Sequence, residues 1–200
     1  MRNVLVPSVI DPALPPAGSV AMDAAGATMG TTWSARMMVP ARVRSDLREQ
    51  MQRELDGVNG EMSHWDPDSA LGRYNRAPAG SWHALPPRFL AVMTYALQVA
   101  EESAGAYDPF AGALVNLWGF GPTGRHDEAG FSAPTPDAIQ VLLAQRAQQG
   151  PLFDREGGRL LQPGGVQLDL SSVAKGYAVD RLAWCLEQHG VRHYLVEIGG

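Results

Sequence analysis

The chain has 200 residues and 45% of them are hydrophobic, so it is long enough to bury a sizeable core, and disorder is not expected. Its net charge of −5 gives no general attraction to nucleic acid or to an anionic membrane, so no nucleic-acid partner is predicted and any phosphate site must be local. Cys185 is the single cysteine, which excludes an internal disulfide and favours a place in the core.

Residues 1–23 are interpreted as a flexible leader, followed by one domain over residues 24–200. The short apolar run near the start is interrupted by Pro7, Asp11 and Pro12 before it reaches the length of a signal-peptide core, and no cysteine follows that could carry a lipid. No apolar run reaches the roughly eighteen residues that a membrane-spanning helix needs. These features predict a cytoplasmic protein without a transmembrane segment.

The first predicted elements are a strand and a long amphipathic helix. Residues 27–39 mix β-branched, aromatic and methionine side chains, which is typical of one strand of an opening pair. Apolar residues at spacings of three and four then predict one buried helical stripe: Val43, Leu47, Met51, Leu55, Val58 and Met62. Pro67 ends this pattern, and Asp68 or Ser69 is placed to cap a short helix that runs through Arg76.

Two more helices are predicted in the middle of the chain. One begins at Pro86–Pro87 and stops at Gly105, with proline in the first turn and glycine just past the end. The other runs from Thr135 to Gly150. Its apolar side chains are predicted to face inward: Ile139, Leu142 and Leu143.

The last third of the chain is predicted to form four strands and a helix. The segment LFDREGGRLLQ is typical of a β-hairpin that turns at Gly157–Gly158, and VQLDL of a strand. A helix from about Ser171 to Gln188 precedes a final strand, YLVEIGG. There is no internal repeat, and the order of elements indicates an α+β fold.

The segment GGVQLDLSSVAKGYAVD carries the strongest chemical signal. A strand leads into a helix whose first turn contains Ser171, Ser172 and Lys175, so free N–H groups, hydroxyls and an ammonium converge where an anion binds well. Lys175 is the only lysine among sixteen lysines and arginines. The glycine spacing of a Walker A loop is missing. On these residues alone, simple capping by Ser171 with a solvated Lys175 is an equally good interpretation.

Three other candidate residues have plain structural interpretations as well. Asp108 precedes Pro109 and suits a turn. Trp65 suits a core aromatic residue, and Met29, which precedes Gly30, suits ordinary packing. None of them indicates a function by itself.

Four segments taken together resemble one family, the FAD:protein FMN transferases or ApbE flavin transferases. In the family's order they are GATMGTTWSARM, MSHWDPDSALGRYN, GAYDPFAGALVNLWGFGP and LDLSSVAKGYAVDRLAWCLEQHGVRHYLVEIGG. The resemblance implies an ApbE-like, T-fold-like α+β domain in which helices pack on a mixed sheet. It also implies an Mg²⁺-dependent enzyme that takes FAD as substrate, transfers FMN to a Ser or Thr hydroxyl of an acceptor flavoprotein, and releases AMP.

The resemblance also implies the residues of the site. The family's FAD contacts fall on six positions of this chain: Met29, Trp65, Ala106, Tyr107, Asp108 and Lys175. Ser172 matches a position whose backbone carbonyl helps to hold the metal, which suits a hard cation that prefers oxygen ligands. Methionine and aromatic surface suits a flavin or adenine ring, and a helix start with an ammonium suits the pyrophosphate.

The resemblance covers the N-terminal part of the family domain. Family members continue past VEIGG into a second half that supplies carboxylate and hydroxyl metal ligands and a histidine proposed to assist the acceptor hydroxyl. No general base is therefore assigned here, and the five histidines are expected at the surface or at helix ends.

The resemblance and its partial coverage lead to further expectations. The 200 residues alone are expected to bind FAD weakly and to transfer nothing, and the final strand is expected to leave an unpaired sheet edge. A non-catalytic, FAD-binding remnant of the family is the alternative function. The periplasmic face of the inner membrane is the alternative location, because family members work on either side of that membrane.

Overall fold

The computed structural model describes residues 13–43, 46–123, 125–149 and 152–199. The strands are β1 (Val20–Thr28), β2 (Thr31–Val39), β3 (Ser81–Ala84), β4 (Phe153–Asp154), β5 (Arg159–Gln162) and β6 (Tyr194–Ile198). The helices are α1 (Leu47–Met62), α2 (Ala70–Asn75), α3 (Pro87–Glu102), α4 (Gly112–Leu117), α5 (Pro136–Ala147) and α6 (Ser171–Gln188). The strands form two antiparallel three-stranded sheets, in the orders β1-β2-β6 and β3-β5-β4.

The main sheet is built on a β1–β2 hairpin. Val20 pairs with Val39 at one end, and Thr28 pairs with Thr31 beside a two-residue turn. Alternate residues of β2 are buried, as the period of a half-buried strand requires: Trp33, Ala35, Met37 and Val39. The Trp33 indole N–H donates to Gln52 Oε1 at 2.8 Å, which satisfies this polar group inside the core.

Helices α1, α3 and α6 pack together in the core. The predicted α1 stripe is confirmed for Leu47, Met51, Leu55, Val58 and Met62, all of them buried. Val43 precedes the helix, which begins after the Asp46 N-cap.

Glu54 of α1 joins all three helices. Its Oε2 accepts hydrogen bonds from Arg88 of α3 at 3.2 Å and from Arg181 of α6 at 2.6 and 2.9 Å. Burial raises the pKa of Glu54, but the hydrogen bonds from Arg181 and Arg88 outweigh burial and hold that pKa below its usual value. The carboxylate thus stays ionised where the three helices meet.

The boundaries of the first two strands differ from the prediction. Residues 20–23, assigned to the leader, are the beginning of β1, and residues 1–12 lie outside the described part of the chain. Residues 27–39 are two strands and a turn instead of one strand, because Ala27 and Thr28 still pair in β1. The turn between β1 and β2 has only two residues, and strand-forming residues continue on both sides of it. The composition therefore does not show where β1 ends and β2 begins.

The predicted strand VQLDL is also wrong. This segment makes a single bridge between Gln167 and Ala111. The side chain of Asn75 takes the place of a neighbouring strand, since its Oδ1 accepts from Leu168 N at 2.7 Å and its Nδ2 donates to Leu168 O at 3.0 Å. Pro109 O accepts from Asp169 N at 2.9 Å. Val166, Leu168 and Leu170 are buried although no strand of the described residues lies beside them, and for this reason the apolar composition of the run resembles that of a strand.

Helix α5 forms where it was predicted, but it contributes no residue to the core. Ile139 and Leu142 are half-buried, Leu143 is 44% exposed, and Gly150 lies outside the described residues. The prediction that its apolar residues face inward, into the core, is therefore wrong.

The remaining predicted elements are confirmed. The hairpin turns at Gly157–Gly158, Ser69 caps α2 by accepting from Gly72 N at 2.8 Å, and Cys185 is buried. Strand β6 pairs with β2 and forms one edge of the main sheet within the described residues, with Leu195 70% exposed on it. No helix among the described residues is both long and apolar enough to cross a membrane.

Candidate functional site

A cleft of about 720 Å³ opens where four segments meet. These are the β1–β2 turn, the end of α1 with the loop after it, the loop after α4, and the first turn of α6. Three of the predicted site residues line it: Met29, Trp65 and Lys175. The structure therefore brings together positions that lie up to 146 residues apart in the sequence, since Met29 and Lys175 share this one cleft.

Met29 lies in the hairpin turn with a backbone conformation that is unusual for its type. Its φ is 49° and that of Gly30 is 70°, so both turn residues are left-handed, as a two-residue hairpin requires. For a residue with a Cβ this conformation costs about 1–2 kcal/mol. A methionine retained at such a position places its flexible, polarisable side chain at the cleft.

Trp65 is 52% exposed, which rules out the core interpretation. It follows α1, whose C-cap is Ser63, in a loop tied back on itself because the Ser69 hydroxyl donates to Ser63 O at 2.5 Å. A half-exposed indole held on a fixed loop at a cleft offers a face for a planar ring.

Lys175 is exposed in the first turn of α6 and lines the cleft. The N-cap of α6 is Leu170, which has no side chain that could cap, so the capping role considered for Ser171 is not observed. Asp169 Oδ1 instead accepts from the Ser171 hydroxyl at 2.5 Å and from the Ser171 amide at 2.7 Å. The ammonium of Lys175 thus stands at the cleft near a positive helix end.

Ala106, Tyr107 and Asp108 lie in the loop between α3 and α4 and do not line the large cleft. Burial raises the pKa of the Tyr107 hydroxyl; the neighbouring Ser172 side chain opposes this shift, and the charges of Asp169 and Asp108 add to it. Within the described part of the chain, this buried hydroxyl has no hydrogen-bond partner. The Tyr107 hydroxyl thus lies beside Ser172 in the first turn of α6 without a hydrogen bond to it.

Both carboxylate oxygens of Asp108 already have partners. Oδ1 accepts from Phe110 N at 2.9 Å, and Oδ2 accepts from Arg146 Nε of α5 at 2.9 Å. The Arg146 guanidinium also lies over the Phe110 ring, 4.8 Å from its centroid. This arrangement is the turn predicted for Asp108 with an ion pair added. Ala106 is exposed, and its amide donates to Ser103 O.

Ser172, the predicted metal position, is exposed in the first turn of α6. Among the described residues, no group of three or more His, Cys, Asp or Glu side chains is placed to hold a metal ion. One backbone carbonyl does not make a magnesium site, so this part of the chain does not fit the ion unaided.

A second, smaller cavity of about 300 Å³ shares two lining residues with the large cleft, His64 and Trp65. The His64 side chain is only 11% exposed, and its ring centroid is 5.3 Å from that of Trp65. Its Nδ1 lies 3.3 Å from Ser171 Oγ and 3.9 Å from Asp169 Oδ1. Burial lowers the pKa of His64, and the charge of Asp169 partly opposes this.

His64 is thus a part of the site that the sequence prediction missed. It was expected at the surface or at a helix end. It does follow the Ser63 C-cap of α1, but its ring is buried against Asp169 and Ser171 at the start of α6 instead of lying at the surface. The Phe120 and His126 rings, whose centroids are 4.5 Å apart, also line the large cleft and were not predicted. The only signal for His64 in the sequence is its place beside Trp65, whereas Phe120 lies in a run rich in aromatic residues.

Comparison with known proteins shows the family to which the chain is similar. The profile of the ApbE family matches residues 29–200. Over 179 residues the chain is 36% identical to an FAD:protein FMN transferase of Salmonella typhimurium, covering 88% of this chain and 50% of that protein. Over 200 residues it is 35% identical to the FAD:protein FMN transferase of Klebsiella pneumoniae, covering 96% of this chain and 55% of that protein.

Solved structures give the same result. The chain is similar to the flavin transferase ApbE from Vibrio cholerae, with a TM-score of 0.77 and 32% identity over 91% of this chain and 58% of the other. It is also similar to the flavinyl transferase ApbE of Pseudomonas stutzeri in its apo form, with a TM-score of 0.77 and 31% identity over 91% of this chain and 60% of the other. The chain spans about half the length of the curated relatives it matches. The α+β fold and the match along residues 29–200 show that the chain belongs to the ApbE family.

Proposed function

We propose that these residues form the FAD-binding part of an FAD:protein FMN transferase. The observation that carries the proposal is the large cleft, which gathers Met29, Trp65 and Lys175 from three separate segments. The names of the relatives support the same reaction. Nothing in the fold or in those relatives favours a non-catalytic remnant.

Each group in and beside the cleft suits a part of FAD. The Met29 side chain and the exposed Trp65 ring offer apolar surface to a flavin or adenine ring. Lys175 supplies a compact positive charge near the start of α6, where the ammonium and the positive end of the helix would stabilise a pyrophosphate. Tyr107 and Asp108 belong to the neighbouring loop, and Asp108 is proposed to accept a hydrogen bond from the adenine or the ribose.

Mg²⁺ is the proposed cofactor, with the Ser172 carbonyl as one ligand. When bound, it would neutralise charge that develops on the pyrophosphate while FMN passes to the acceptor hydroxyl of a flavoprotein and AMP leaves. Mg²⁺ sites commonly combine one or two carboxylates with water and substrate phosphates. Among the described residues, no cluster of three or more His, Cys, Asp or Glu side chains complements this carbonyl.

Titration of FAD into the 200-residue chain, followed by flavin fluorescence, tests the binding role. We expect weak but saturable binding, and Lys175→Ala should weaken it about tenfold because a charge-assisted contact to phosphate is lost. Arg36→Ala is the matched control, since Arg36 pairs with Asp23 on the exposed face of the hairpin at 3.0 Å and lies outside the cleft. Failure of the wild-type chain to bind FAD would overturn the proposed function.

Incubation of the same chain with FAD, Mg²⁺ and an acceptor flavoprotein tests the second half of the proposal. Because the chain spans about half of its relatives, we expect no covalent flavin on the acceptor in a denaturing gel. A fluorescent acceptor band that forms without EDTA, and does not form when EDTA is present during the incubation, would show that 200 residues suffice. That result would contradict this expectation.

A further inference from the structure

The neighbours of the His64 ring indicate which of its two nitrogens carries the proton. The Ser171 hydroxyl donates its only hydrogen to Asp169 Oδ1 at 2.5 Å, so Ser171 Oγ can act only as an acceptor toward His64 Nδ1 at 3.3 Å. The carboxylate of Asp169, 3.9 Å from Nδ1, favours a proton there as well. These partners assign the proton of the neutral ring to Nδ1.

The other ring nitrogen is then a lone-pair acceptor. His64 Nε2 is buried and has no hydrogen-bond partner among the described residues. The ring lies where the large cleft meets the smaller cavity, since it lines both. A buried acceptor without a partner costs about 1–3 kcal/mol, which a ligand can recover by donating a hydrogen bond.

We propose that His64 is a substrate-binding residue whose Nε2 accepts a hydrogen bond from a hydroxyl or N–H group of FAD. The proposal rests on the proposed function and adds a residue that the family resemblance does not assign. Phosphate oxygens do not fit this role, because they carry no hydrogen near neutral pH and a neutral Nε2 has none to give. In this proposal Lys175 contacts the phosphates, and His64 contacts a hydroxyl or N–H group elsewhere in FAD.

The charges around His64 keep this role available at neutral pH. Asp169 from the segment before α6 and Asp66 from the loop after α1 are the acidic groups at the two cavities. The basic groups come from α2, α6 and the loop after α4: Arg76, Lys175, Arg125 and His126. Burial outweighs Asp169 and holds the pKa of His64 below its ordinary 6.5, so Nε2 is unprotonated at pH 7.

Binding measurements with His64→Ala test the proposal. We expect about tenfold weaker binding of FAD, since the ligand donor loses its partner. FMN and AMP are then used as separate probes. His64→Ala should bind one of them more weakly than the wild-type chain does and should bind the other with unchanged affinity. His193→Ala, in the segment before β6 and outside both cavities, is the control. A near-ultraviolet circular dichroism spectrum like that of the wild-type chain verifies folding.

A pH series with His64→Gln separates binding from a purely structural role. In the wild-type chain, FAD affinity should be constant near neutral pH and should fall as the pH drops through the lowered pKa of His64, because protonation turns Nε2 into a donor. His64→Gln offers an acceptor oxygen that does not titrate, so it should keep part of the affinity and lose this pH dependence. Ser171→Ala should weaken binding less than His64→Ala, because it only releases the ring from its orientation.

The outcomes distinguish the two proposals. If the wild-type chain binds FAD and His64→Ala binds it within twofold, the role of His64 is overturned while the proposed function stands. Equal losses for FMN and AMP overturn it too, since one hydrogen bond serves only one half of the molecule. If the wild-type chain does not bind FAD, both the proposed function and the role of His64 are overturned.

Discussion

The candidate site has two sides that are supported in different ways. Lys175 and the cleft end of α1 belong to the packed helices, where five α1 residues are at most 3% exposed. Tyr107 and Asp108 lie on the loop side, which consists of the loop between α3 and α4 together with α5, a helix without a buried residue. On this side α5 is joined to the loop by the Arg146–Asp108 ion pair, while Phe110 anchors the loop itself in the core.

The difference shows what a periodic apolar pattern does and does not establish. The apolar residues of α1 and α5 both recur at helical spacing, and both segments form helices. Only α1 has a sheet and three other helices, α2, α3 and α6, against which to bury its stripe. Periodicity therefore predicts the helix and its apolar face, whereas burial depends on which elements cover that face.

The largest effect expected from this comparison is on stability. Leu55→Ala in α1 removes a fully buried side chain and should lower the free energy of unfolding by about 2–5 kcal/mol. Leu143→Ala in α5 is the matched control, with a side chain that is 44% exposed, and should change it by less than about 1 kcal/mol. Urea unfolding followed by circular dichroism measures both. Similar losses for the two variants would mean that α5 shares the core.

The same contrast explains which parts of the fold could be predicted. Helices α1, α3 and α6 follow from their apolar spacing and end signals, because each signal is local. The VQLDL strand was mistaken because its backbone is paired by Asn75, a residue more than 90 positions away whose two hydrogen bonds replace a neighbouring strand. No local pattern carries that information.

The site divides in the same way. The four family segments led to Met29, Trp65 and Lys175, and the structure gathers these three in one cleft. His64 could not be recognised, because its significance comes from the contact between its ring and Ser171, 107 positions along the chain. A histidine next to a tryptophan is otherwise an ordinary surface pair.

A smaller effect is expected from releasing the loop side. Arg146→Ala removes both the ion pair with Asp108 and the cation–π contact with Phe110, so the amides of α5 should exchange with solvent about tenfold faster. Global stability should fall by about 1 kcal/mol or less, since the ion pair is about one-third exposed. Hydrogen exchange followed by mass spectrometry measures the local change.

Arg159→Ala supplies the matched control for Arg146. Arg159 also combines an ion pair, with Asp154 at 2.7 Å, and a cation–π contact, with Trp82 at 4.7 Å, but it lies on β5 in the second sheet. Its loss should leave exchange in α5 unchanged. Unaltered exchange in Arg146→Ala would show that contacts other than this ion pair hold α5 in place.

The smallest effect on stability is expected at Met29, where the cleft meets the hairpin turn. Met29→Gly relieves a residue with a φ of 49° and also removes a side chain that packs against the core. Relief of backbone strain and loss of packing oppose each other, so the free energy of unfolding should change by less than about 1 kcal/mol.

The affinity of Met29→Gly for FAD should nevertheless fall several-fold, because apolar surface is lost from the cleft wall. Met29→Leu keeps that surface and should retain most of the affinity, as measured by flavin fluorescence. If Met29→Gly binds FAD as tightly as wild type, the methionine serves only the turn, and its left-handed backbone has no role in binding.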